Sequence, residues 1–137
     1  DAFQHWIYTH PEGGERDARD KEWCRIFDRF APWLEWSGIE EEQRARWYRQ
    51  LHIFLSPFYY IEYGIARLGA IQVWRNTRQD YPAAISAFRS ALRLGGTRPL
   101  PDLFAAAGAR FAFDRETVRE LVAMVEQRLA ELEECPA

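Results

Sequence analysis

Histidine, cysteine and methionine are scarce in this 137-residue chain, with three, two and one copies. Cys24 and Cys135 stand far apart in no C-x-x-C pair, which excludes a zinc ribbon and a dense disulfide framework and leads to the expectation of a cytoplasmic protein. The three histidines, His5, His10 and His52, form no H-E-x-x-H helix, the arrangement that puts two imidazoles on one face for a metal. His5 and His10 lie five residues apart, roughly 140° round a helix, and read as helix-end or surface residues. No P-loop, G-x-G-x-x-G or G-x-S-x-G is present either, so the chain holds no complete catalytic kit of these classes. The longest apolar stretch, from Ile53 to Trp74, is broken by Glu62, Arg67 and Gln72, short of the roughly 18 apolar residues that a membrane-spanning helix needs. Nor is there an excess of positive charge. The 18 basic and 21 acidic residues leave a net charge of -3, which argues against a nucleic-acid partner. The chain opens on Asp1 with no initiator methionine and no basic-then-apolar leader, which suggests a piece of a longer protein.

Hydrophobic residues are abundant at 47%, and 15% of residues are aromatic, so the chain is expected to fold. Apolar positions recur at helical spacing and no segment keeps a clean alternation, which makes the fold class all-α, with residues 1–137 as a single helical segment. A helix over 15–30 gathers Trp23, Ile26, Phe27 and Phe30 on one face and stops before Pro32. After a turn at Trp36-Ser37-Gly38, a helix over 40–50 carries charges outward. Ser56-Pro57 then reads as the N-cap and first-turn proline of a long apolar helix ending near Arg75, with Gly64 and Gly69 marking close approach of neighbouring backbones. Asp80 or Tyr81 opens a helix to Leu94, closed by Gly95-Gly96, and a short helix over 101–107 closes at Gly108. In the last helix, capped by Asp114, the residues Val118, Leu121, Val122, Val125, Leu129 and Leu132 predict one buried stripe. Glu116 and Glu120 suit its N-terminal dipole, whereas the acidic run at 131–134 opposes the dipole and is expected to fray.

Two segments bear on function. DYPAAISAFRSALRLG has the small-and-large alternation of the second helix of a tetratricopeptide unit, but it occurs once, and an array needs about three copies to bury its faces. HIFLSPFYYIEYG gathers a histidine and three tyrosines around a helix start. Tyr60 and Tyr63 are three apart and share a face, with Tyr59 roughly 100° from Tyr60. A phenol buried without a partner costs about 1 to 3 kcal/mol, so these hydroxyls imply polar partners, water or a cleft. A packed aromatic stripe whose hydroxyls reach carbonyls is the plainer reading, and Glu62 in the same turn reads as a partner of the helix dipole.

In order along nearly the whole chain, DAFQHWIYTHP, WSGIE, HIFLSPFYYIEYGIARLGAIQVW and LGGTRPLPDLFAAAGARFAF resemble the C-terminal part of oligoendopeptidase F, in the thimet oligopeptidase superfamily of zinc peptidases. The resemblance implies a multi-helix C-terminal segment of a larger, mostly helical enzyme of the zincin type, whose deep channel cleaves oligopeptides. It places the zinc ligands, two histidines of an H-E-x-x-H helix and a glutamate, before Asp1, so that none of these residues holds the metal. It matches His52 to a substrate-contacting histidine, and Tyr60 and Tyr63 to the tyrosines facing the scissile carbonyl. Ser56-Pro57 stands where distant relatives have glycines and the spacing differs by one, so Tyr59 remains a substrate-binding candidate that could replace Tyr60. The chain alone is then expected to be inactive, with the missing N-terminal part as its partner. Exposure of Ile61, Ile65, Leu68 and Ile71 would favour a homodimer of the piece. The alternative is a stand-alone tetratricopeptide-like interaction module with a groove of Tyr59, Tyr63 and Trp74.

Overall fold

A computed structural model describes residues 1–134, and Cys135 lies outside them. The described residues form eight α-helices joined by turns, two of them 3-10 turns, as an all-α chain requires. No helix among them is long and apolar enough to cross a membrane. The chain divides into two compact units, residues 1–62 and 63–137.

The first unit contains α1 (Ala2–Thr9), α2 (Arg16–Phe30), α3 (Glu40–Ala45), α4 (Leu51–Leu55) and the opening of α5 (Tyr60–Gln79). Its centre is aromatic. Phe3, only 3% exposed, meets the edges of Trp23 and Trp47 at centroid distances of 5.2 and 5.4 Å. Such edge-to-face pairs add to the area that they bury, because the positive ring edge meets the negative face. The Trp47 indole N–H donates to Asp20 Oδ1 at 2.8 Å, and Gln43 Nε2 donates to Asp28 Oδ1 at 2.6 Å, which fastens the 40–49 segment to α2. Gly13, in the 3-10 turn after α1, passes so close that a Cβ would meet the Ile7 carbonyl oxygen at 2.1 Å. Only glycine fits there.

In the second unit, α6 (Tyr81–Leu94) packs against α7 (Leu100–Ala106), while α5 meets α7 where Phe104 covers Gly69 and reaches α8 (Arg115–Glu133) through Arg75. The most buried side chains include Leu121, at 1% exposure, and Gln72, also at 1%. Full burial of a leucine contributes about 1.5 to 3 kcal/mol. Gln72 acts differently: its Nε2 donates to the Arg110 carbonyl at 2.9 Å while its Oε1 accepts from the Arg110 amide at 2.8 Å. One side chain thereby satisfies both polar groups of an irregular residue, as a neighbouring strand would. Beside it, Asn76 Nδ2 donates to the Gly108 carbonyl at 2.8 Å.

Caps set the helix ends where the sequence placed them. Asp80 accepts from the Ala83 amide at 3.0 Å and Asp114 from the Thr117 amide at 2.9 Å, while Gly95 and Gly108 take φ of 54° and 73° at the far ends of α6 and α7. Elsewhere the structure corrects the sequence reading. The 40–50 helix is α3 followed by a 3-10 turn over Arg46–Arg49, which rotates Trp47 inward. Ser56-Pro57 does not cap the long helix; α5 begins at Tyr60 and runs to Gln79. Gly64 faces open space, and Gly69 admits the Phe104 ring rather than a backbone, 2.9 Å from where a Cβ would lie. The α8 stripe is only partly buried, with Val122, Leu129 and Leu132 about half exposed. Its last turn stays helical to Glu133, because Arg128 and Arg78 pair with Glu131 and offset the unfavourable dipole.

Replacing Gln72 with leucine should strand both polar groups of Arg110 and lower unfolding free energy by about 2 to 4 kcal/mol in urea titrations. A change below about 0.5 kcal/mol, the range of ordinary surface substitutions, would mean that the clamp is not structural. Hydrogen bonds from the Thr117 amide and hydroxyl hold the Asp114 carboxyl below its ordinary pKa. Its folded-state pKa is depressed, so its contribution is complete above the unfolded value of about 3.9 and is lost as pH falls through the lower folded value. Asp114→Ala should therefore lower stability at pH 7 and flatten the acid limb of the stability profile below about pH 4. Identical acid limbs in the two proteins would contradict it.

Candidate functional site

The segment that follows α3 builds a small polar and aromatic cluster in the first unit. After the 3-10 turn, Gln50 leaves the helical region with ψ of 85° and α4 runs for five residues, ending at Ser56, whose amide returns to the His52 carbonyl at 3.2 Å. The chain then turns through Pro57 and Phe58, and the Tyr59 amide bonds to the Ser56 carbonyl at 3.1 Å. Phe58 adopts φ of 62°, a left-handed conformation that a bulky side chain seldom takes and that costs about 1 to 3 kcal/mol. Its surroundings hold it there. The Phe58 amide donates to Gln4 Oε1 at 3.3 Å, and its ring packs against His5 at 4.8 Å and Tyr8 at 5.6 Å.

This tight reversal folds His52 back onto the two residues that follow the turn. The imidazole stacks on Tyr60 at 4.9 Å and 28°, and meets Tyr59 edge-on at 5.0 Å and 81°. The Tyr60 hydroxyl donates to Gln50 Oε1 at 2.9 Å, which fixes the orientation of the ring. Tyr60 and Gln50 line a cleft of about 160 Å³ with Phe3, Gln4, Trp23 and Ile53. Gln4 Nε2 and the Trp23 indole N–H are shut off from solvent and have no acceptor among the described residues. Tyr59, 48% exposed, stands at the surface beside His52.

His52, Tyr59 and Tyr60 are brought together as one cluster. Tyr63 falls in the second unit, 48% exposed. The other histidines serve the fold: His10 Nδ1 accepts from the Glu12 amide at 3.2 Å and its ring stacks on Trp6, while His5 supports Phe58. No group of three or more histidine, cysteine, aspartate or glutamate side chains suited to a metal occurs among the described residues. Burial raises the Cys24 thiol pKa, which leaves it protonated and a poor nucleophile. Sequence reasoning missed Gln4, Gln50 and Trp23. A glutamine in an amphipathic helix such as Gln4 looks like a solvent-facing residue, and only its burial distinguishes it.

Comparison with known proteins adds no neighbour: no family model, no curated protein and no solved structure matches the chain.

The strain at Phe58 has an unusual consequence for substitution. Both Phe58→Ala and Phe58→Gly lose the contacts with His5 and Tyr8, but only glycine accepts a positive φ without penalty. The glycine variant should be the more stable of the two by about 1 kcal/mol in chemical denaturation, the reverse of the usual order. An alanine variant equal to or better than glycine would show that the turn relaxes.

Proposed function

We propose that this chain is the C-terminal channel-wall piece of a zinc-dependent oligoendopeptidase, in which His52 and the tyrosines bind a peptide and stabilise the charge that develops on its scissile carbonyl. The observation that carries the reading is the His52–Tyr60 stack beside a cleft, with the Tyr60 hydroxyl held by a side-chain acceptor rather than sealed against the main chain.

In this reading the Tyr60 hydroxyl exchanges one acceptor for another, turning its single proton from Gln50 Oε1 to the oxygen of the scissile carbonyl. His52, stacked on Tyr60 and against Tyr59, hydrogen-bonds the substrate and positions both rings. Tyr59 lies at the surface, where it contacts substrate residues away from the bond that is cut. Tyr63 is the second candidate donor. In this reading the zinc is held by polypeptide beyond the described residues, and no step is assigned to it.

A preorganised donor aimed at a developing oxyanion is worth about 2.7 to 4 kcal/mol in the transition state, or roughly 100- to 1000-fold in turnover. In the longer protein that carries this chain, Tyr60→Phe or Tyr63→Phe should lower kcat on a quenched fluorescent peptide by about that factor, with zinc content unchanged. His52→Ala should raise KM, lower kcat, or both. Unaltered rates in all three variants would return these residues to a structural role, and hydrolysis by the 137-residue chain alone would refute the division of labour.

A further inference from the structure

The joint between α1 and α2 is built around one titratable side chain. His10 ends α1, its amide bonding back to the Trp6 carbonyl at 2.9 Å. The same residue opens the 3-10 turn over Pro11–Gly14, where its Nδ1 accepts from the Glu12 amide at 3.2 Å. The imidazole lies nearly flat on the Trp6 ring, with 4.8 Å between centroids and 17° between planes. A ring nitrogen that accepts a hydrogen bond carries no proton, so this cap exists only in neutral His10, in the tautomer that keeps its proton on Nε2. The usual capping oxygens of Ser, Thr, Asp and Asn accept throughout the neutral pH range. A histidine nitrogen loses that capacity when it is protonated.

The protonated ring has other partners at hand. A hollow of about 520 Å³ beside His10 is lined by Glu12 of the turn, by Glu15 after it, and by Asp17, Lys21, Glu22 and Arg25 of α2, whereas α1 brings only Trp6. Four carboxylates there face two cations. Both oxygens of Glu22 accept from Arg25, which holds that carboxyl below the ordinary range, so it stays charged where histidines titrate. The indole face beneath the ring also favours a cation. A half-turn about the Cβ–Cγ bond, which the two-fold preference of that torsion allows, keeps the ring on Trp6 while it takes Nδ1 off the Glu12 amide.

We propose that His10 is a pH-sensitive joint: when neutral it caps the turn that connects α1 to α2, and when protonated it releases the Glu12 amide and presents Nδ1–H to the carboxylates of the hollow. The bond to the amide favours the neutral ring and the carboxylates favour the charged one, so the turn is capped above the histidine range and uncapped below it. Each state has its own partners, and a single proton exchanges them. The turn does not follow the ring, because Gly13 is pressed against the Ile7 carbonyl oxygen. This inference concerns the first unit alone and is independent of the peptidase reading.

Nitrogen-15 NMR of the full 137-residue chain tests it. At about pH 8 the His10 nitrogens should report the Nε2–H tautomer. From there to about pH 5 the Glu12 amide should shift with the same midpoint as the His10 ring. Corrected for intrinsic rates, that amide should exchange about threefold faster in the acid state. His10→Asn puts an amide oxygen where Nδ1 stands and should hold the Glu12 amide unchanged across this range, while His5 and His52 still titrate. His10→Phe keeps an aromatic ring for Trp6 but has no acceptor, and its Glu12 amide should exchange at the fast rate at both ends of the range. Glu15→Gln with Glu22→Gln should lower the His10 midpoint by about 0.3 pH units. An Nδ1–H tautomer at high pH overturns the proposal, as does a Glu12 amide indifferent to pH or one that responds equally in His10→Asn. A midpoint unmoved by loss of the two carboxylates overturns it as well.

Discussion

Buried glutamine amides bonded to chain segments far from them in sequence are what this structure depends on most. Gln72 holds the amide and carbonyl of Arg110 at 2.8 and 2.9 Å, and so fixes the irregular stretch between α7 and α8 against the middle of α5. Gln4 does half of this for the strained amide of Phe58, and Gln43 joins its segment to Asp28. Leucine at these sites would bury more apolar area but leave peptide groups without partners. In a chain of short helices joined by turns, that trade favours the amide.

The same logic explains why the candidate site exists where it does. A left-handed Phe58 is costly in isolation, and it is sustained only because α1 supplies both an acceptor, Gln4, and a surface for the ring, His5 and Tyr8. That turn folds α4 against the start of α5 and lays His52 on Tyr60. The cleft beside Tyr60 therefore depends on residues from α1, α2 and the 50–60 segment acting together.

Much of the fold was legible in the sequence because the relevant physics is local. An aspartate whose carboxylate can reach an amide three residues on marks a helix start whatever surrounds it, and both Asp80 and Asp114 do so. Glycine at a helix end accepts the positive φ that closes it, as at Gly95 and Gly108. Ser56-Pro57 carried the same local signal and failed, because the packing of Phe58 against α1 outweighs the capping preference and delays α5 to Tyr60. The sequence marked His52, Tyr59, Tyr60 and Tyr63 as near one another along the chain, but the meeting of His52 with Tyr59 and Tyr60 came from the turn at Phe58. The part played by Gln4, Gln50 and Trp23 was not.

What the sequence by itself determined is the helical class, most of the helix ends and the aromatic segment around residues 52–63, since each follows from periodicity, caps and turn residues within a few positions. Only the tertiary structure decided which glutamines are buried, which way Phe58 turns, and which side of α8 stays exposed. Those outcomes hang on hydrogen bonds and contacts between residues up to 54 positions apart, as between Gln4 and Phe58, whose partners no local pattern can name.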